Sequence, residues 1–153
     1  MSTVAVIRVN PDNVLDGISR GMNLVEYKKS LEKKNTTILK TNISWQHFFP
    51  ACSTTPWQFD GVISELKSAN YNNLLPAYNG TVVVNPIDGA KNNKHTAVEE
   101  KHGLKSIILD FPPTKWIEYT PKSKLLVLDT IFPEGIRIPE VFIGSNIIHL
   151  PTA

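Results

Sequence analysis

Cysteine is nearly absent from the 153-residue chain, with Cys52 as its single thiol. One cysteine gives no intramolecular disulfide and no four-thiolate zinc or iron–sulfur site from this chain alone, and a reducing compartment suits that usage. An excess of one charge is missing as well. With 16 Lys and Arg against 14 Asp and Glu, and no basic run longer than two residues, the chain lacks the footprint that neutralises many phosphates, so no nucleic-acid partner is expected. No stretch reaches the length of apolar sequence that spans a membrane, and the alternating segment Thr3–Val9 is too short and wrongly flanked for a secretory core. We expect a cytoplasmic protein without membrane attachment. Glycine-rich phosphate loops are lacking too, since neither G-x-G-x-x-G nor G-x-x-x-x-G-K-[ST] occurs.

What is present is 41% apolar and 20% charged residues, the proportions of one ordinary domain covering residues 1–153. A chain of this size buries roughly 68–70% of the surface its unfolded form exposes, enough for a core without staples. Segment Thr3–Val9 reads as a first strand, interrupted by the turn residues Asn10-Pro11-Asp12-Asn13. Val14, Ile18, Met22 and Val25 recur at helical spacing behind a cap at Asp12 or Asn13, and the β-branched run Thr36–Lys40 then reads as a second strand, completing a βαβ unit. Thr55 at the N-cap and Pro56 at the first helical position open a helix whose buried face is Phe59, Val62, Ile63 and Leu66. Leu74–Tyr78 and Thr81–Val84 read as a hairpin turned at Asn79-Gly80, with Pro76 pushing the first run toward an edge. A short helix, Thr96 to His102, closes at Gly103. Ser106–Leu109, Leu125–Leu128 and Val141–Ile143 with Ile147-Ile148 supply further strands around a Trp116–Tyr119 insertion. The expected fold is α/β: a mixed, mainly parallel sheet of four to six strands with flanking helices, in three layers or nearly so.

The densest chemistry lies in Lys40-Thr41-Asn42 and Ser53-Thr54-Thr55-Pro56-Trp57, placed where a strand ends and a helix begins. Open α/β sheets bind ligands at such points, and a helix start offers free amides and a positive dipole end. An anionic ligand would be neutralised by Lys40, oriented by Asn42, and held by Ser53, Thr54 and Thr55; capping of the helix by Thr55 accounts for part of the same pattern. Asp110 and Asp129 each follow an apolar run and would form an acidic site, binding a cation or acting as acid and base, if both reached one sheet edge. Glu134, Arg137 and Glu140 read as a surface ion-pair lip. No metal site is expected: His47 and Cys52 give two ligands at most, and His95 and His102 lie two helical turns apart, with His149 distant in sequence. Trp45, Phe48, Phe49 and Trp57 flank the Lys40–Thr55 region, either walling an apolar pocket or filling core.

The chain carries, in order, Lys40-Thr41-Asn42, Pro50-Ala51-Cys52-Ser53-Thr54-Thr55-Pro56-Trp57, Gly61-Val62-Ile63, Leu126-Val127-Leu128-Asp129, Phe132-Pro133-Glu134-Gly135 and His149-Leu150-Pro151-Thr152. Taken together these segments resemble the uncharacterised family known as domain of unknown function 362. The likeness runs from about Val4 to Thr152, and its most recognisable pieces are a K-P-N-like motif at Lys40-Thr41-Asn42 and a T-x-P element at Thr54-Thr55-Pro56. The resemblance implies a conserved domain of unsettled role, often tied to iron–sulfur proteins through a separate cysteine-rich segment and therefore to a ferredoxin-like partner. It also implies a Lys- and Gly-containing continuation after Thr152, so the chain is expected to be a truncated unit or a divergent relative. Three functions follow as expectations: a binding domain for a small anionic ligand, a redox- or cation-linked enzyme domain using Asp110 and Asp129, and a non-catalytic interaction module or homodimer built on the aromatic loop and the apolar Ile147–Leu150 end.

Overall fold

The computed structural model describes residues 2–152. Its centre is a four-stranded parallel sheet in the order β3-β2-β1-β6, formed by β1 (Thr37–Thr41), β2 (Leu74–Tyr78), β3 (Ile107–Ile108) and β6 (Asn146–Leu150). A separate antiparallel ribbon pairs β4 (Trp116–Tyr119) with β5 (Ile136–Pro139). The α/β class and the mainly parallel sheet are therefore as the sequence indicates.

Helices α1 (Val14–Leu24), α2 (Pro56–Ser68) and α4 (His95–His102) share one sheet face. There Leu39, Leu74 and Leu150 meet Phe59, Val62, Ile63 and Leu66 of α2, with Ile18 and Met22 of α1 and Val98 of α4. On the opposite face Ile38 and Ala77 pack with Leu109, Ile107, Val141 and Phe142. The arrangement is two layers of regular structure, not the three expected, because the chain after β3 places no long helix against that second face.

Thr55 caps α2 by accepting from the Gln58 amide at 3.4 Å, and Gly103 ends α4 at φ 64°, where a side chain would be strained. Five local expectations fail. Thr3–Val9 forms no regular element and joins no strand, so no βαβ ladder precedes β1 among the described residues. Thr81–Val84 makes an isolated bridge and not a hairpin arm; Val84 alone is buried, beside Ile43 and Tyr78, while Val82 and Val83 face solvent. Pro76 sits on a strand flanked on both sides, tolerated where β3 reaches only Ala77 and Tyr78 and leaves the ladder open at the proline. Leu125–Leu128 forms no strand: Leu126 is 95% exposed and Leu128 begins the four-residue α5 (Leu128–Ile131), since an apolar run without a free sheet edge beside it gains no ladder. Val141-Phe142 likewise belongs to a 3-10 turn that leads into β6. Besides α5, the sequence pattern gave no sign of α3 (Pro86–Asn92), whose cap Asn85 accepts from the Ile87 and Asp88 amides.

Candidate functional site

Because all four central strands are parallel, their carboxyl ends gather at one edge. The order reverses between β1 and β6: the chain proceeds from β1 outward to β2 and β3, then returns to the other side of β1. Ligands of open α/β sheets sit in the crevice outside such a reversal. A cavity of about 450 Å³ occupies that place. Its walls come from the loop after β1 (Phe48, Phe49), the start of α2 (Thr55, Trp57), the α3–α4 junction (Asn93) and the residue pair after β6 (Thr152).

Local hydrogen bonds explain how the loop is held there. The Thr54 hydroxyl accepts from the Asn42 amide at 2.8 Å and donates to the Leu150 carbonyl, tying the α2 start to both β1 and β6. Ser53 accepts from the Ser44 amide at 3.1 Å, and the Asn42 side-chain amide donates to the Ser44 hydroxyl at 2.7 Å. Buried His95 donates from Nε2 to the Thr54 carbonyl at 2.7 Å, which leaves Nδ1 as the acceptor of a neutral ring. Burial holds His95 below the ordinary histidine value against the pull of that carbonyl, so the ring is neutral near pH 7. Ala51, in the cavity wall, is held at φ 59°, a strained conformation for a residue with a side chain.

The expected residues divide accordingly. Ser53, Thr54 and Thr55 reach the cavity, but Ser53 and Thr54 are 5% and 1% exposed and their hydroxyls are engaged in holding the loop, while Thr55 acts as the helix cap. Asn42 belongs to the same latch. Lys40 does not join them: its register partners are Ala77 and His149, on the face turned away from the helices, and its ammonium donates to the Thr41 carbonyl at 3.1 Å. Burial lowers the Lys40 pKa, with Asp110 acting in the opposite direction. Sequence placed Lys40 and Thr54 near each other along one edge but could not show that strand alternation sends Lys40 to the other face.

Asp110 follows β3 and accepts from the Asn79 side-chain amide at the same sheet edge. Asp129 lies on exposed α5, which no strand carries to that edge, so the apolar run that was to deliver it there does not do so. Arg137 of β5 donates to the Trp116 carbonyl at 2.9 Å, bracing the ribbon. Among the described residues no group of three or more His, Cys, Asp or Glu is placed to hold one metal ion, and no helix is long and apolar enough to cross a membrane. Cys52 is half-buried beside the loop.

Two features of the cavity were not marked by residue chemistry in the sequence. Among the described residues the Thr152 hydroxyl is buried with no hydrogen-bond partner, and the Thr55 side chain serves the Gln58 amide rather than that of Trp57. Among the described residues no charged side chain lines the cavity. The wall is largely aromatic and apolar surface with few polar groups, a lining poorly matched to a multiply charged occupant. Fold and cleft together define a parallel α/β protein with a preformed crevice at the strand ends. No family model, curated protein or solved structure matches the chain.

Proposed function

We propose that this chain is a small-molecule-binding domain whose ligand occupies the crevice at the carboxyl ends of β1 and β6. The observation that carries this reading is a 450 Å³ cavity, walled by Phe48, Phe49, Thr55, Trp57 and Thr152, located where the strand order reverses. The ligand has a planar or aliphatic body lying against Phe48, Phe49 and Trp57, and one oxygen-rich head at the start of α2, where Thr55 and Trp57 line the cavity. A carboxylate is the favoured head, since the α2 dipole attracts it and no acidic side chain opposes it. Lys40 has no part in holding it. With this reading goes kinship to the domain of unknown function 362, supported by the order of the motifs from Lys40 to Thr152.

A second reading has its own observation: Phe48 and Phe49 are 59% and 65% exposed on one loop, a surface suited to a protein partner. Thermal unfolding against matched aromatic carboxylates and their neutral amides separates the two. Ligand at a hundred times its dissociation constant adds about 2.7 kcal/mol of apparent stability. We expect stabilisation by a carboxylate that is lost in Trp57→Ala and kept in Lys40→Ala. Loss in Lys40→Ala alone would move the site to the opposite sheet face. No stabilisation by any compound would leave the aromatic loop as a partner-binding surface.

A further inference from the structure

Thr3–Val9 forms no regular element, and its exposure alternates, with Ala5 and Ile7 partly covered and Val4 and Val6 83% and 91% exposed. Its backbone groups have no hydrogen-bond partner among the described residues, although the segment is packed: Val9 and Ile7 rest on the bare backbone of Gly17 and Gly21 in α1. A Cβ on Gly17 would stand 2.2 Å from Val9 Cγ1, and one on Gly21 would stand 3.3 Å from Ile7 Cγ1. The arm therefore runs antiparallel to α1. Meanwhile β6 has an open outer edge. The Asn146 amide donates to the Thr36 carbonyl, so Asn146, Ile148 and Leu150 turn their backbone groups toward β1, and Ile147 and His149 turn theirs outward.

Topology connects the two open edges. The connections β1-α2-β2 and arm-α1-β1 place their helices on one sheet face, and the helices run parallel: Val14 shares a cavity with Trp57, Ile18 meets Gly61, and Tyr27 bonds Glu65. Crossovers of the same right hand with helices on the same face must advance in the same direction across the sheet. Since β2 lies on one side of β1, the arm belongs on the other, and β6 already fills the adjacent place. We infer that Thr3–Val9 is the fifth strand of this sheet and that its binding surface is the outer edge of β6, giving the order arm-β6-β1-β2-β3. Side-chain direction agrees: Ile7 and Val9 face the helix layer with Ile148 and Leu150, and Val4 and Val6 share the open face with Ile147 and His149. Pairing also fixes Val9 and Pro11, which with Val14 and Trp57 wall a second cavity of about 400 Å³ adjoining the crevice.

Parallel pairing predicts an alternating pattern of amide hydrogen exchange in the full chain. Ile7, Val9, Ile147 and His149 point into the new ladder and should exchange on the order of a hundredfold more slowly than Val4, Val6 and Arg8. Ile7→Pro removes a ladder donor and should release Ile147 and His149, whereas Val6→Pro, whose amide points away, should not. Ile7→Ala keeps the donor while trimming the packing on Gly21, and should retain the alternation. Fast exchange at Ile147 and His149 in the unaltered chain overturns the assignment. So does protection that appears only as protein concentration rises, which would mean the arm of a second copy.

Discussion

At the residue scale, His95 shows how a side chain that reads as a possible ligand becomes a structural one. It is fully buried against Phe59, with ring centroids 5.4 Å apart, and its Nε2–H holds the carbonyl of Thr54 at the head of α2. Its lowered pKa means that the unfolded chain takes up a proton before the folded one as pH falls below the ordinary value of 6.5. Stability consequently falls on the acid side of that value until the folded ring charges. Glu99 works the other way: burial raises its pKa against the bonds from Ser106, so the folded chain is the readier to protonate as pH approaches 4.5. Urea midpoints between pH 7 and pH 5 should separate them. His95→Gln, which keeps a donor near Thr54, should lose the acid-side fall and retain the Glu99 rise. Glu65 was invisible to pattern reading, yet it accepts from Ser19 at 2.6 Å, Tyr27 at 2.8 Å and Asn23 at 3.0 Å. Burial alone would raise its pKa, and those bonds with Lys28 bring it below the ordinary carboxylate value.

At the scale of elements, α2 was the most legible because its signals are local. Thr55, Pro56 and the stripe Phe59, Val62, Ile63 and Leu66 lie within 12 residues and require no distant partner to be read. Thr55→Ala should cost about 1 kcal/mol in urea unfolding by freeing the Gln58 amide. Gly61→Val should cost more, about 1–3 kcal/mol, because a Cβ there lies 2.7 Å from Ile18 Cδ1 and 3.2 Å from Ile18 Cβ, forcing α1 from α2. An equal loss in the two variants would mean that α1 yields without strain. Strand readings fared worse. Leu125–Leu128 and Ile147–Leu150 are comparably apolar, and only the second has a neighbour, β1, waiting at matching register.

At the scale of the whole molecule, the sheet is closed by a long return. Asn146–Leu150 pairs along Thr37–Thr41 after more than a hundred intervening residues, whereas β4 and β5 make a two-stranded ribbon with Trp116, Glu118 and Tyr119 exposed. A ribbon of that kind has little buried surface to resist opening. Amides of Ile117 and Ile138 should therefore exchange well before those of Ile38 and Leu39, measured by native-state hydrogen exchange across a urea series. Simultaneous exchange of both groups would show the ribbon and sheet to be one cooperative unit.

The amino-acid sequence by itself determined what depends on neighbours a few residues apart: the caps at Thr55 and Gly103, the helical stripes, the β-branched run of β1 and the α/β class that their alternation implies. Tertiary structure decided everything that depends on which edges meet. It placed β6 beside β1, and so put Thr152 into the crevice. It turned Lys40 to the face opposite the helices and spent the Thr54 hydroxyl on a latch between Asn42 and Leu150. Strand pairing and side-chain face are set by long-range hydrogen bonds and burial, which no local spacing encodes.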